Sequence, residues 1–432
     1  MENYPKLMGT PISHSEFVLR HCLAPFGVLT LNLKDNAIVV AFRDIRCLVL
    51  FTASILAFAY ETADTSYIMM GLYRDNRLQV IEILSALQYV VRTCTNTVVI
   101  AVLWQKLNKQ TELRNSLQLL TAKFSPDVSQ SSKEEAKAAA LSISAFLSVI
   151  AVRVGTYTYE FILVQGGDES LKAPPLFLLT DFQEHIFKLF SRDLIEAIRV
   201  LYAGYLTVVL ANFNGNLAGS CLRRIDGSLR CREIWNYDLI EIWTVREASL
   251  TFAEDMERGL GVVFSTLLLS DIFRVVCAVG EVLAHNDSYH NIRMASSVLV
   301  CLTSFFMIAG GLISLTDTEC ATRNKLRQLQ TRWAEEAAHS AAVFDDPAGD
   351  RRVSSFCNDL RGDDRNFCDA PTELTMILSS FESGCFGGRK VAVAWPGLGY
   401  VSRRTVISVF GWLVTFFVFL LGQSHRATSI NS

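Results

Sequence analysis

Residues 292–316, IRMASSVLVCLTSFFMIAGGLISLT, decide the fold class of this chain of 432 residues. Arg293, close to the start, is the single charged residue of the stretch, and the others are apolar, small or hydroxylated. A helix needs roughly 20 mostly apolar residues to cross the hydrocarbon core of a bilayer. The stretch therefore predicts a transmembrane helix, and with it an integral membrane protein.

The rest of the chain contains six further stretches that qualify or nearly qualify as spans. The seven predicted spans cover residues 47–70, 78–104, 138–164, 194–213, 259–283, 292–316 and 405–423. The composition agrees, because 50% of the residues are hydrophobic and 19% are charged, whereas an ordinary soluble protein has about 25% charged residues. We predict an all-α integral membrane protein with seven transmembrane helices.

The direction of the spans is predicted from the positions of lysine and arginine. The segments on the side of the N-terminus are residues 1–46, 105–137, 214–258 and 317–404, and they carry 29 of these residues. The segments on the opposite side carry 7. Without residues 317–404, whose length weakens their contribution, the comparison is 17 against 7. Because cytoplasmic loops are enriched in these residues, we predict a cytoplasmic N-terminus and an extracellular C-terminus.

The polar cytoplasmic segments keep a helical periodicity, which predicts helical extensions of the spans beyond the membrane. Residues 345–371 differ, because they are rich in Asp, Arg, Gly, Asn and Ser and indicate a flexible insertion before a helical pattern resumes at 372–381. The expected organisation is a cytoplasmic N-terminal segment (1–46), a six-span ligand-sensing bundle (47–316), a cytoplasmic loop with a helical anchor (317–404), a seventh helix (405–423) and an extracellular tail (424–432).

The last span resembles a known family. Residues 401–416, VSRRTVISVFGWLVTF, are followed by five apolar residues and then by Gly422-Gln423. This resembles the C-terminal signature of insect gustatory receptors, in which Thr-Tyr precedes about five hydrophobic residues and Gln-Phe. Thr415 matches the threonine, Phe416 stands for the tyrosine, and Gln423 comes one residue late with Ser424 in place of phenylalanine. Together with the seven spans and their direction, the chain resembles a divergent arthropod gustatory receptor.

The resemblance implies a ligand-gated, non-selective cation channel in the plasma membrane, formed as a tetramer of identical or related subunits. It implies that the seventh helices line the pore and that a small tastant, such as a sugar or a bitter compound, binds among the outer halves of the earlier helices. In this chain, a hydrophobic constriction that gates by dewetting is expected from Leu413, Phe417, Leu420 and Leu421. Polar groups are expected from Thr415 and Gln423. Because the helix has no ring of carboxylates, we expect poor selectivity among cations.

Charged side chains inside the spans indicate where a ligand binds, because an isolated charge at the bilayer centre costs at least about 2.5–3.5 kcal/mol and must face protein or water. With the predicted directions, the candidate ligand-binding residues of the outer halves are Glu82, Gln88, Tyr89, Arg153, Tyr157, Glu160, Tyr202 and Asp271. A structural ion pair is the competing role. The spacing of three residues favours such pairs for Glu196 with Arg199 and for Asp271 with Arg274, whereas Arg153 and Glu160 favour a pocket.

Two other classes of membrane protein stay open. A G-protein-coupled receptor has seven spans in the opposite direction, and a secondary transporter would show an internal repeat, which we do not find. The sequence has no phosphate-binding glycine loop, zinc-protease motif or paired Cys-x-x-Cys, so we expect neither an enzyme nor a metal or cofactor site. The net charge of -3 indicates no nucleic acid partner. The eleven cysteines all fall within spans or in predicted cytoplasmic segments, so no disulfide is expected.

Overall fold

The computed structural model describes residues 14–26, 37–74, 80–124, 133–166, 193–230, 236–284, 288–344, 390–392, 394–395 and 399–431. These residues are almost entirely helical. The helices are α1 (His14–Leu23), α2 (Ala37–Arg74), α3 (Val80–Phe124), α4 (Lys133–Gly166), α5 (Leu194–Asn212), α6 (Gly219–Arg230), α7 (Asn236–Ala284), α8 (Ser288–Phe344) and α9 (Arg403–Asn431). A two-stranded antiparallel hairpin, β1 (Ala394–Trp395) and β2 (Gly399–Tyr400), precedes α9.

Seven helical segments are long and apolar enough to cross a bilayer. They are Asp44–Arg74, Val80–Lys106, Glu135–Tyr159, Leu194–Arg230, Ile240–Leu283, Met294–Arg332 and Arg403–Gly422. Each of them overlaps one predicted span, which confirms the predicted fold class. The protein is therefore a multi-pass membrane protein.

Several helices continue far beyond the length that a membrane requires. Helix α3 has 45 residues, α7 has 49 and α8 has 57. At 1.5 Å per residue these helices are about 68, 74 and 85 Å long, more than twice the roughly 30 Å of a hydrocarbon core. The predicted helical extensions are thus confirmed, whereas the insertion at 345–371 and the helix predicted at 372–381 lie outside the described residues.

Helix α5 forms the centre of the bundle. Of the 18 residues in an apolar stretch of the segment Leu194–Arg230, which begins with α5, 78% are buried. Helix α5 packs against α4, α8 and α1. The contact with α4 is close because position 204 is glycine. A Cβ at Gly204 would collide with the Cβ and Oγ of Ser142 on α4. A missing side chain on one helix therefore admits the backbone of its neighbour, as small residues commonly do between membrane helices.

Helix α1 was not predicted from the sequence. Its Leu19 and Leu23 are fully buried, and Glu16 forms ion pairs with Arg114 of α3 and with Arg20, the latter at 3.2 Å. Burial lowers the pKa of the Arg114 guanidinium, and the charge of Glu16 opposes this shift. A ten-residue amphipathic helix is too short to give a hydropathy signal, so composition alone does not reveal it.

Two further elements were also missed. The end of α5 continues as a π-helical segment, Phe213–Ala218, which leads directly into α6. The hairpin is held to the bundle by the hydroxyl of Thr316, which donates a hydrogen bond to the carbonyl oxygen of Val401 at 2.9 Å. Both elements depend on backbone hydrogen bonding that short sequence patterns do not specify.

Candidate functional site

The half of the bundle predicted to be extracellular contains a network of buried charged side chains, which we call the outer network. Its members come from α3, α4, α5, α7 and the residue that immediately precedes α5, and each is buried: Arg92, Arg153, Asp193, Glu196, Arg199, Asp271 and Arg274. Hydrophobic residues dominate the surrounding spans, so each of these charges needs a partner of opposite charge or a hydrogen bond.

One part of the outer network joins α3 and α4 to the start of α5. The guanidinium of Arg92 donates hydrogen bonds to Asp193 and Glu196. Arg153 Nε lies 3.4 Å from Asp193 Oδ1, and Arg153 Nη2 lies 4.0 Å from Glu196 Oε2. The hydroxyl of Tyr157 donates a hydrogen bond to Asp193 Oδ2 at 2.6 Å. The beginning of α5 is thus the point at which two arginines and a tyrosine converge.

The other part joins α5 to α7 through two crossed ion pairs. Arg199 Nη1 lies 2.5 Å from Asp271 Oδ1, and Arg274 Nη2 lies 2.8 Å from Glu196 Oε1. The predicted pairing within each helix is therefore wrong. The two helices run antiparallel, so three residues forward along α5 correspond to three residues back along α7, and this register places each arginine opposite the acid of the other helix.

Hydroxyl and thiol groups complete the coordination of these arginines. Arg199 Nη1 donates a hydrogen bond to Ser270 Oγ at 3.0 Å, and its Nη2 donates one to Cys301 Sγ at 3.3 Å. Arg153 donates to Ser297. Removing a charge from water costs several kcal/mol even after relaxation, so these neutral partners contribute to holding the arginines inside the bundle.

The outer network retains hydrogen-bond donors that the described residues leave unused. Within the described ranges, Arg92 Nε and Nη1 and Arg274 Nη1 are buried without a hydrogen-bond partner. A guanidinium has five N–H donors in a planar arrangement, and buried donors of this kind are costly unless water or a ligand accepts from them. The network can therefore offer hydrogen bonds to a polar molecule that reaches it.

The structure brings three of the predicted ligand-binding residues, Arg153, Tyr157 and Asp271, into or against the outer network. Two others lie near it on α3. The hydroxyl of Tyr89 donates to Glu281 Oε1 at 2.9 Å, and Gln88 Nε2 donates to Met294 Sδ at 3.1 Å.

The remaining predicted ligand-binding residues do not join this group by any described contact. Tyr202 is fully buried, with its ring 6.0 Å from that of Tyr205. Glu82 is half-buried in the first turn of α3, and the side chain of Glu160 lies outside the described residues. Sequence reasoning missed Asp193, which immediately precedes the predicted span and was therefore assigned to a loop. It also missed Ser297, whose hydroxyl carries no distinguishing pattern.

The seventh span, α9, has a different environment. Only 11% of its apolar window is buried within the chain, although its mean hydropathy is 2.2. Four predicted pore residues are exposed or partly exposed: Leu413, Thr415, Phe417 and Leu421. Leu420 is fully buried against its own chain, which does not suit a pore-lining position. The side chain of Gln423 lies outside the described residues.

No cluster of three or more His, Cys, Asp and Glu side chains with the arrangement of a metal site occurs among the residues that the structure describes. The buried carboxylates of the outer network are instead matched by arginines. Their arrangement is that of an ion-pair network that holds four helices together.

Solved structures of an insect olfactory receptor have the same fold as this chain. The insect olfactory receptor OR5 from Machilis hrabei in complex with eugenol superimposes with a TM-score of 0.58 at 10% identity, over 94% of this chain and 99% of that one. A second structure of the same receptor gives a TM-score of 0.56 at 10% identity, with the same coverage. Neither a family model nor a curated protein matches the sequence.

Proposed function

We propose that this protein is a chemoreceptor of the gustatory type, a subunit of a ligand-gated, non-selective cation channel in the plasma membrane. The observation that carries this proposal is the exposure of α9. A span of mean hydropathy 2.2 is 11% buried, whereas the less apolar window of α5, at 1.7, is 78% buried. The chain thus leaves one of its most apolar spans almost uncovered.

An uncovered span of this kind has two possible surroundings, lipid or other subunits. The exposed side chains of α9 include large aromatic residues, and Trp412 stacks on Phe416 with ring centroids 5.7 Å apart. Four subunits, identical or related, would bring four copies of α9 around one axis and cover part of this surface. Leu413, Phe417 and Leu421, which follow one another at intervals of four residues on one side of α9, would then form the hydrophobic constriction.

The ligand of this receptor is a small tastant bound in the half of the bundle that contains the outer network. The unused donors of Arg92 and Arg274 favour a polar molecule with several acceptor oxygens, such as a sugar. Tyr157 donates a hydrogen bond to Asp193 of the outer network, and Tyr89, near the network on α3, donates one to Glu281, so two aromatic rings lie beside these charges. The olfactory receptor of similar fold was solved with eugenol, which supports a small-molecule site in proteins of this architecture.

Whole-cell current recording tests the proposal. The full-length chain, alone and with a related subunit, is expressed in cells that lack chemoreceptors and exposed to sugars, bitter compounds and amino acids. We expect an inward cation current with at least one class. Absence of current under every condition would contradict the channel assignment.

A pair of variants tests the pore directly. Phe417→Ser places a hydroxyl at the proposed constriction, where hydration opposes dewetting, so we expect current without ligand to rise. Phe419→Ser is the matched control, because this phenylalanine is exposed on α9 to a similar extent but two residues away, on nearly the opposite side of the helix. Equal effects of the two substitutions would refute the assignment of the pore-facing side.

The direction of the spans separates this proposal from a G-protein-coupled receptor. We expect an epitope tag after Ser432 to be reached by antibody on intact cells. A tag reached only after permeabilisation would contradict the channel and favour the G-protein-coupled class.

A further inference from the structure

A second site, distinct from the outer network, lies at the opposite end of the membrane region between α5 and α8. It is a groove of about 260 Å³. Its walls are formed by Thr207, Leu210 and Asn214 on one side and by Met307, Gly310 and Ser314 on the other. Both helices run from the outer to the inner side in the predicted orientation, so these residues line the groove in parallel.

The position of the groove relative to the bilayer follows from the span limits. Asn214 and Ser314 lie at the inner ends of the predicted spans 194–213 and 292–316, at the level of the cytoplasmic interface. Thr207 and Met307 lie seven residues earlier, about 10 Å deeper in the membrane. The groove is therefore upright, with its polar end at the interface and its apolar end in the hydrocarbon region.

The polar end contains an acceptor that has no donor. Asn214 Nδ2 donates to Ser314 Oγ at 2.8 Å, whereas Asn214 Oδ1 is buried without a hydrogen-bond partner in the part of the chain that the structure describes. A buried acceptor in this state requires a donor from elsewhere. Asn214 also belongs to the π-helical segment Phe213–Ala218, and π-helical segments are frequent at functional sites.

The groove opens sideways through Gly310. This glycine is exposed, and a Cβ placed on it would meet no atom within 4 Å. One turn earlier on the same helix, Phe306 is 46% exposed. Behind the opening the floor is tight, because a Cβ on Gly311 would lie 3.0 Å from Leu210 Cδ1. A molecule that enters here comes from the bilayer.

The lining determines the chemistry of that molecule. None of the residues that line the groove is charged, so the phosphate of a phospholipid or the carboxylate of a fatty acid would be buried without a counter-charge, at high cost. The groove thus requires a lipid without charge, with a hydroxyl donor for Asn214 Oδ1 and with an apolar body that fits the opening at Gly310. An uncharged lipid with one hydroxyl and a flat apolar body has these properties. That description fits a sterol, whose hydroxyl lies at the interface and whose rings extend toward the midplane.

We propose that the groove binds a sterol of the cytoplasmic leaflet. Its hydroxyl donates a hydrogen bond to Asn214 Oδ1, and its ring face packs against the open surface at Gly310. The cavity receives the hydroxyl-bearing end, and the remainder of the sterol stays in lipid. This site is separate from the ligand site in the outer half, so it stands whether or not the receptor assignment holds.

The test uses the purified full-length protein in lipid nanodiscs with a photoreactive cholesterol analogue. Labelled peptides are located by mass spectrometry, with cholesterol and its 3-keto derivative, which lacks the hydroxyl donor, as competitors. We expect labelling on α5 and α8 within residues 207–214 and 307–314. Cholesterol is expected to compete about tenfold better than the ketone.

Two variants and one control define the site. Gly310→Leu fills the opening and Asn214→Leu removes the acceptor, and each should reduce labelling about tenfold. Gly155→Leu is the matched control, because Gly155 is also exposed within a span and a Cβ at this position would meet no atom within 4 Å. Its labelling should equal that of the wild type. Gel filtration verifies that each variant is monodisperse.

Three results would overturn the proposal. One is unchanged labelling in both Gly310→Leu and Asn214→Leu, and another is equal competition by the ketone. The third is a change of oligomer size caused by Gly310→Leu in sterol-free nanodiscs, which would identify the groove as a contact for a helix of another subunit.

Discussion

The crossed ion pairs between α5 and α7 give a stability prediction that can be worked out in detail. Asp271→Leu leaves the buried guanidinium of Arg199 with only neutral hydrogen-bond partners, the hydroxyl of Ser270 and the thiol of Cys301. Removal of one member of a buried ion pair costs about 3–5 kcal/mol, because the remaining charge loses its compensation. Replacement of both members by apolar residues is often close to neutral. We therefore expect the double variant Arg199→Met with Asp271→Leu to be more stable than Asp271→Leu alone.

A double-mutant cycle measures this effect. Detergent-solubilised wild type, both single variants and the double variant are heated, and the monodisperse fraction is followed by fluorescence-detected gel filtration. The control is Arg258→Gln, because Arg258 is 74% exposed and lies 3.6 and 3.9 Å from Glu254 and Asp255. A surface pair of this kind is worth at most about 1 kcal/mol. If the two single losses of stability simply add in the double variant, the two residues are not coupled and the reasoning fails.

Two further substitutions test the packing and the cytoplasmic side. Gly204→Ala should cost about 1–3 kcal/mol of stability through overpacking, because the Cβ of Ser142 cannot rotate away. Gly155→Ala is the control, since a Cβ there has open space, and it should be neutral or slightly stabilising in the same thermal assay. Equal effects of the two substitutions would show that α4 can shift away from α5. Glu319→Leu removes the carboxylate that accepts two hydrogen bonds from buried Arg246 at 2.5 and 2.6 Å. We expect it to lower the stability by about 3–5 kcal/mol and expect the additional substitution Arg246→Met to restore most of that stability. Failure of the double variant to recover stability would refute the pairing.

The number and positions of the spans could be predicted from the sequence because each span meets the bilayer separately. Every membrane-spanning helix must form its backbone hydrogen bonds internally and cover itself with apolar side chains. A stretch of about 20 residues therefore contains all the information needed to recognise a span. The two-residue strands Ala394–Trp395 and Gly399–Tyr400 carry no such signal, because their pairing depends on how the chain turns between them.

The outer network shows where prediction from sequence stops. The cost of burying charge identified Glu196, Arg199, Asp271 and Arg274 as members of a common environment, but spacing along one helix suggested the wrong partners. The partners depend on the relative direction and register of two helices. The fourth and fifth spans run antiparallel, so the pattern Glu-x-x-Arg on one places each charge opposite its counterpart in the pattern Asp-x-x-Arg on the other. Two parallel helices would place like charges opposite each other. This information comes from topology rather than from local spacing.

The continuity of α8 has a mechanical consequence. From Ser288 to Phe344 it is one helix without a break, and it passes Cys301 of the outer half before it reaches Glu319. A stiff element of about 85 Å that tilts by about 1° displaces its far end by about 1.5 Å. A rigid-body tilt of α8 that is caused by binding on one side of the membrane thus moves the end of the helix on the other side. No series of side-chain rearrangements between the two sides is required.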